Sequence, residues 1–167
     1  MFFTNNSFEQ GENVYMIIKL DITEPSMAAE IYDLQKKAYK VEANIIGYLD
    51  LPPLKESVQD LQQCGELFLG YVIEEKVVGA MAYKTSADLL DIHRLMVHPL
   101  HFKKGIAQVL LTYLEECESA IREWIVSTGT GNTPAINFYK RNGFQVLNEV
   151  KVNERLSITN LKRIVEK

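Results

Sequence analysis

The stretch Val97-His98-Pro99-Leu100-His101-Phe102-Lys103-Lys104-Gly105-Ile106-Ala107 joins the end of an apolar strand to the start of a long helix through a short loop with glycine at the turn. Before it, Leu89 to Val97 reads as a strand. After it, Ile106, Val109, Leu110, Tyr113, Leu114 and Cys117 recur at the i, i+3, i+4, i+7 spacing of one buried face, which predicts a helix over 105–121. A helix entered this way offers free N–H groups and the positive end of its dipole to an anion. Each such charge interaction is worth about 0.3–1 kcal/mol when exposed and up to about 2 when partly buried. Lys103 and Lys104 stand where a first turn normally carries acids, a placement that costs stability unless an anion compensates. Glu115, Glu116 and Glu118 sit near the opposite end of the same helix, however, so its polarity is reversed throughout. Solvated lysines and an anion site are both open readings on these residues.

Outward from this stretch the chain alternates strand and helix signals. Val14 to Leu20 reads as a strand, and Pro25-Ser26 opens a helix through Ile31, Leu34 and Ala38. A second helix is expected after Pro52-Pro53. Glu66 to Ile73 and Val77 to Lys84 form a hairpin pattern around Glu74-Glu75-Lys76. Trp124 to Ser127 is a short strand, and Thr133-Pro134 opens a helix that closes at Asn142-Gly143, with proline early and glycine just past the end. Phe144 to Val152 and Ser157 to Ile164 make a closing hairpin around Asn153-Glu154-Arg155. This order predicts an α/β fold of the mixed α+β kind, one sheet covered by helices. Residues 1–12 are polar and read as a loose N-terminal extension, leaving 13–167 as a single domain.

Composition narrows the class. A hydrophobic fraction of 47% against 24% charged residues excludes disorder for this 167-residue chain. Cys64 and Cys117 lie in separate elements with no ligand spacing for zinc, so no metal and a reducing, cytoplasmic setting are expected. Met1-Phe2-Phe3 breaks off at Thr4-Asn5-Asn6, unlike a signal peptide, and no apolar run reaches bilayer length, so no membrane partner is expected. A net charge of −4 argues against general nucleic-acid binding.

Phe102-Lys103-Lys104-Gly105-Ile106-Ala107 resembles the Q/R-x-x-G-x-G/A signature of the GNAT superfamily of acetyl-CoA-dependent N-acetyltransferases. Val97-His98-Pro99 is similar to the V-x-P that ends that family's fourth strand. Asn132-Thr133-Pro134-Ala135-Ile136-Asn137-Phe138-Tyr139, with Asn142-Gly143-Phe144, resembles its later N-x-x-A-x-x-F-Y…G-F motif. Phe102 departs from the pattern, replacing the usual Gln or Arg and its contact to the pyrophosphate.

The resemblance implies a predominantly antiparallel central sheet, splayed between the family's fourth and fifth strands and flanked by helices on both faces. It implies acetyl-CoA as co-substrate, with the pyrophosphate on Phe102, Lys103, Lys104, Gly105, Ile106 and Ala107. The pantetheine arm would run along Leu95, Met96 and Val97, with the Met96 amide facing the thioester carbonyl. Asn132 would bind the same arm; it is equally well read as a helix N-cap. Tyr139 would protonate the departing thiolate, or serve as a packed aromatic.

The family's base positions match Asp91 and His93, two apart on one strand and so on one face. Both also read as polar sheet residues, with Asp91 paired to Arg94 or Lys84. Acceptor specificity is expected from Tyr39, Glu42, Tyr48 and Asp50. The implied partner is an amine: a small molecule, an aminoacyl compound or a protein N-terminus. Family members often form homodimers. The alternative function is a non-catalytic module that senses acyl-CoA, motivated by Phe102.

Overall fold

The computed structural model describes residues 6–10 and 13–166. Eight strands form one sheet: β1 (Asn6–Gln10), β2 (Asn13–Leu20), β3 (Leu67–Ile73), β4 (Lys76–Ser86), β5 (Leu89–Val97), β6 (Glu123–Gly129), β7 (Gln145–Asn153) and β8 (Leu156–Ile164). Their spatial order is β1-β2-β3-β4-β5-β6-β8-β7. Every pairing is antiparallel except β5 with β6. The mixed α/β class expected from the sequence is the class observed.

Helices cover both faces. On one, α1 (Pro25–Ile46) and α3 (Val58–Gln63) pack over Phe68, Ala80, Ala82 and Met96, and α2 (Pro52–Lys55) packs against α1. On the other lie α4 (Ile106–Cys117) and α5 (Thr133–Arg141), whose Leu110, Leu114 and Tyr139 meet Leu69, Met81, Leu90 and Trp124. Burial from both sides explains why β3 and β4 read as nearly continuous apolar runs rather than alternating ones. Helix α1 starts where the Glu24 carboxylate accepts the amides of Ser26 and Met27, with Pro25 in its first turn. It ends at Gly47, whose φ of 77° carries the αL cap. Among the described residues no helix is long and apolar enough to cross a membrane.

Two expectations need correction. Asn6–Gln10, read as loose extension, is an edge strand in register from Asn6↔Ile17 to Gln10↔Asn13. Strand addition at an edge runs on backbone hydrogen bonds, so polar composition does not forbid it. The single helix expected after Pro52-Pro53 is instead two short ones, because Ser57 opens α3 with a capping box to Asp60.

The feature that shapes the site is the partial pairing of β5. Leu89 to Ile92 pair with Glu123 to Val126; beyond Ile92 the two strands separate, β5 staying with β4 and β6 with β8. The same strand is bulged. Ile92 faces Tyr83 and Arg94 faces Ala82, so His93 is an extra residue in the ladder. The bulge exchanges the faces: Leu90 and Ile92 enter the α4-side core, whereas Met96 enters the α1-side core.

Candidate active site

A cavity of about 680 Å³ fills the space where β5 and β6 part. At one end is the start of α4. Lys103 and Gly105 adopt φ of 61° and 75°, curling the loop so that Gly105 caps the helix without any side-chain hydrogen bond, and no acid occupies the first turn. Gly79 on β4 allows this placement. A Cβ built there would lie 2.6 Å from Ile106 Cγ2, so the glycine lets the first turn of α4 rest on the sheet. Lys103, His101 and Arg141 line this end, giving it a basic rim beside the free helix amides.

The middle of the cavity is walled by the unpaired length of β5. The His98 amide donates to the Val78 carbonyl at 2.8 Å. Hydrogen-bonded positions alternate along an antiparallel ladder, so the amides of Arg94 and Met96 also turn toward β4, while those of Leu95 and Val97 turn into the gap. The amide facing the gap is therefore that of Leu95, not Met96 as the sequence reading has it. The Leu95 amide faces the hydroxyl of Tyr39 from α1 and opposes the rise that burial gives that hydroxyl.

Through the gap, side chains from opposite faces of the sheet meet. Tyr39 and Glu42 come from α1 and Tyr139 from α5, and all three line the cavity. Tyr139 is only 4% exposed. Burial, reinforced by the neighbouring Glu42 charge, pushes its hydroxyl well above the ordinary tyrosine range. Tyr39 is raised for the same reasons, burial first and Glu42 second. Burial also raises the Glu42 carboxyl, against opposing hydrogen bonds from Asn132 and from Thr128, whose hydroxyl lies 3.5 Å away. Asn132 caps α5, its Oδ1 accepting the Ala135 amide, and its amide group donates to the Thr128 hydroxyl beside the cavity.

His93 lines the cavity and lies between two carboxylates, with Nε2 3.2 Å from Asp91 and Nδ1 3.4 Å from Glu66. Asp91 itself is outside the lining, behind the imidazole. Arg94 is not the partner of Asp91. It is buried, donates to both oxygens of Glu66 at 2.8 and 3.0 Å, and reaches Glu56 and Gln35. For Glu66, burial alone would raise the carboxyl, but the hydrogen bonds and charge of Arg94 outweigh it and hold it low. The sequence reading did not anticipate this network, because its members are 28 to 59 residues apart.

Of the acceptor residues expected, Tyr39 and Glu42 reach the cavity. Tyr48 and Asp50 do not: Tyr48 accepts from Asn153 on the β7–β8 hairpin, and Asp50 lies 3.8 Å from Lys55. They follow the Gly47 cap, where the chain turns away from the helix face that carries Glu42. Among the cofactor residues, Lys104 points to His101 instead of the lining, while Leu95, Met96, Val97, Phe102, Lys103, Gly105, Ile106 and Ala107 all line it.

Residues 65–146 match the acetyltransferase (GNAT) domain family. Over 144 residues the chain is 37% identical to UPF0157 protein YqkA of Bacillus subtilis, which covers 86% of this chain and 42% of that protein, so the chain spans less than half the relative's length. The fold is shared with PaiA N-acetyltransferase of Thermoplasma acidophilum, solved in complex with coenzyme A (TM-score 0.73, 21% identity, 90% of this chain and 99% of that one). It is also shared with the ribosomal-protein-S18-alanine N-acetyltransferase of Escherichia coli (TM-score 0.72, 15% identity, 92% and 95%). With the domain match, the splayed β5–β6 pair and the glycine-capped start of α4 in agreement, this chain carries an acetyltransferase (GNAT) domain.

Proposed function

We propose that the chain is an acetyl-CoA-dependent N-acetyltransferase that passes the acetyl group to a primary amine by direct attack through a tetrahedral intermediate. The observation that carries this reading is the meeting of Tyr139 and the Leu95 amide in one gap, beside a helix start that lacks acids. Acetyl-CoA brings a thioester whose carbonyl carbon is the electrophile. The amides of Lys103 to Ala107 receive its pyrophosphate, and the free edge of Leu95 to Val97, with Asn132, receives its pantetheine arm.

Each group then has one task. The Leu95 amide stabilises the oxyanion of the intermediate, a kind of interaction whose loss elsewhere costs about 2.7–4 kcal/mol. Tyr139, kept protonated by its burial, gives its proton to the departing sulfur. An alkylammonium is only about one part in a thousand neutral at pH 7, so a base must take its proton. The Asp91–His93 pair takes it, the imidazole standing at the cavity wall with Asp91 behind it.

Differential scanning of the native chain and a Gly105→Glu variant with acetyl-CoA tests the cofactor half. At a hundredfold excess over Kd the ligand should stabilise the native chain by about 2.7 kcal/mol and leave the variant unmoved. Acetylation of an amine panel tests the chemistry. Stabilisation without transfer to any amine would replace the proposal with an acyl-CoA sensor, the role that Phe102 suggests.

A further inference from the structure

The lysine and arginine cations of the cavity lining are Lys103, Arg94 and Arg141, and Arg94 is already bound by Glu66 and Glu56. Lys103 and Arg141 line the α4–α5 end, whereas Glu42 is the one acidic side chain among the described lining residues. It sits on the α1 face that repeats Ala38, Glu42 and Ile45, at the i, i+4, i+7 spacing that directs side chains the same way. The other acids near the site have partners already: Glu66 and Glu56 bind Arg94, and Asp91 meets the His93 ring. Among the described residues no cation is paired with Glu42; Thr128 and Asn132 are its partners. The walls around it are apolar, formed by Val41, Ile45, Leu51, Pro53 and Ile158.

A carboxylate lodged among apolar walls is stabilised by a cation that arrives with it, and burial has raised this carboxyl above its ordinary range. We infer that Glu42 receives the ammonium of the acceptor, and that the acceptor is a monoamine with an apolar body. This inference rests on the acetyltransferase reading. It follows from counting: one unmatched acid accommodates one positive charge, and a polyamine would bring further ammonium groups against Ile45, Leu51 and Ile158 with nothing to pair them. A small hydroxylated amine would leave those walls unfilled. Because Glu42 lies beside Tyr139, an amine held there stands next to the group that serves the departing sulfur.

The test is steady-state kinetics of the full chain with acetyl-CoA and three amines: 2-phenylethylamine, ethanolamine and spermidine. The expected kcat/KM for 2-phenylethylamine exceeds the other two by at least about tenfold. In Glu42→Gln its KM should rise by about tenfold or more, with a smaller change in kcat and an unchanged thermal shift on acetyl-CoA. Glu42→Asp should lie between. Preference for spermidine or ethanolamine, or a KM in Glu42→Gln within twofold of wild type, would overturn the inference while leaving the acetyltransferase reading intact. Turnover of no amine, with acetyl-CoA still stabilising the chain, would defeat that reading and this one with it.

Discussion

The Leu95 amide, which the splay of β5 from β6 turns into the cavity, faces the hydroxyl of Tyr39 from α1. In the proposed reaction the same donor serves the thioester oxygen. Tyr39 therefore stands where it would compete with the acyl carbonyl for this N–H.

Tyr39→Phe should expose this competition. The free protein loses about 1 kcal/mol, the low end of the cost of an orphaned donor, because cavity water can reach the amide. For a chain of this size that is about 2–4 °C in Tm. Acetyl-CoA would give the amide an acceptor, so its stabilising shift should be larger in the variant than in the native chain by the same amount. Equal shifts in the two proteins would show that the carbonyl does not use this amide.

Gly79→Val tests whether the sheet sets the position of α4. The new side chain would meet Ile106 Cγ2, which cannot swing away as the tip of a long chain could. Overpacking of this kind costs about 1–3 kcal/mol and should displace the first turn of α4. Calorimetric binding should show acetyl-CoA weakened by about tenfold. Gly70→Ala, which meets only the branched end of Leu20 on the far side of the sheet, supplies the comparison: stability falls and acetyl-CoA affinity does not.

The helix start at Gly105 and the α5 segment ending at Tyr139 were legible in the sequence because each is a local signal: glycine at a turn, proline early, an apolar period. Glu42 was legible only as an acid in the right region, since nothing local separates it from Asp50, which the structure places outside the cavity. The direction of the Leu95 and Met96 amides was not legible at all. It depends on the bulge at His93 and on which β5 residues pair with β4, both long-range properties of the sheet. The Arg94 network escaped for the same reason. Its acids come from the α2–α3 connection and from the approach to β3, and only the folded chain brings them to one buried guanidinium.

Arg94→Met should destabilise strongly at neutral pH, by about 3–5 kcal/mol, because it strands the buried Glu66 carboxylate. Arg94→Lys should recover little, since an ammonium cannot reproduce the two parallel bonds to Glu66. The sign with pH follows from the depressed Glu66 carboxyl. A group held low contributes stability that is present above its ordinary value of 4.5 and lost as pH falls through its folded value. Wild type should therefore lose Tm as the pH drops below about 4.5, and the gap between wild type and Arg94→Met should narrow there as Glu66 is protonated. A gap that stays constant down to pH 3 would assign the loss in Arg94→Met to packing.

Tyr139→Phe removes one hydroxyl and leaves the ring packed against Phe138 and Phe144. Acetyl-CoA affinity should stay within a few-fold of wild type, while kcat falls by about 10²–10⁴, the range for loss of a positioned acid. A second readout separates this role from a structural one. The Tyr139 hydroxyl is raised from its ordinary value of 10.0, so the native state holds its proton more tightly than the unfolded chain does. That stability is fully present below pH 10 and is lost as the pH climbs beyond it, because the unfolded phenol ionises first. Tyr139→Phe should escape part of this alkaline loss, giving a shallower fall of Tm above pH 10 than wild type, with Tyr39, Tyr71 and Tyr83, all raised by burial, accounting for what remains. A variant with unchanged kcat and the same alkaline slope would place Tyr139 outside the chemistry and return the proton donor to solvent.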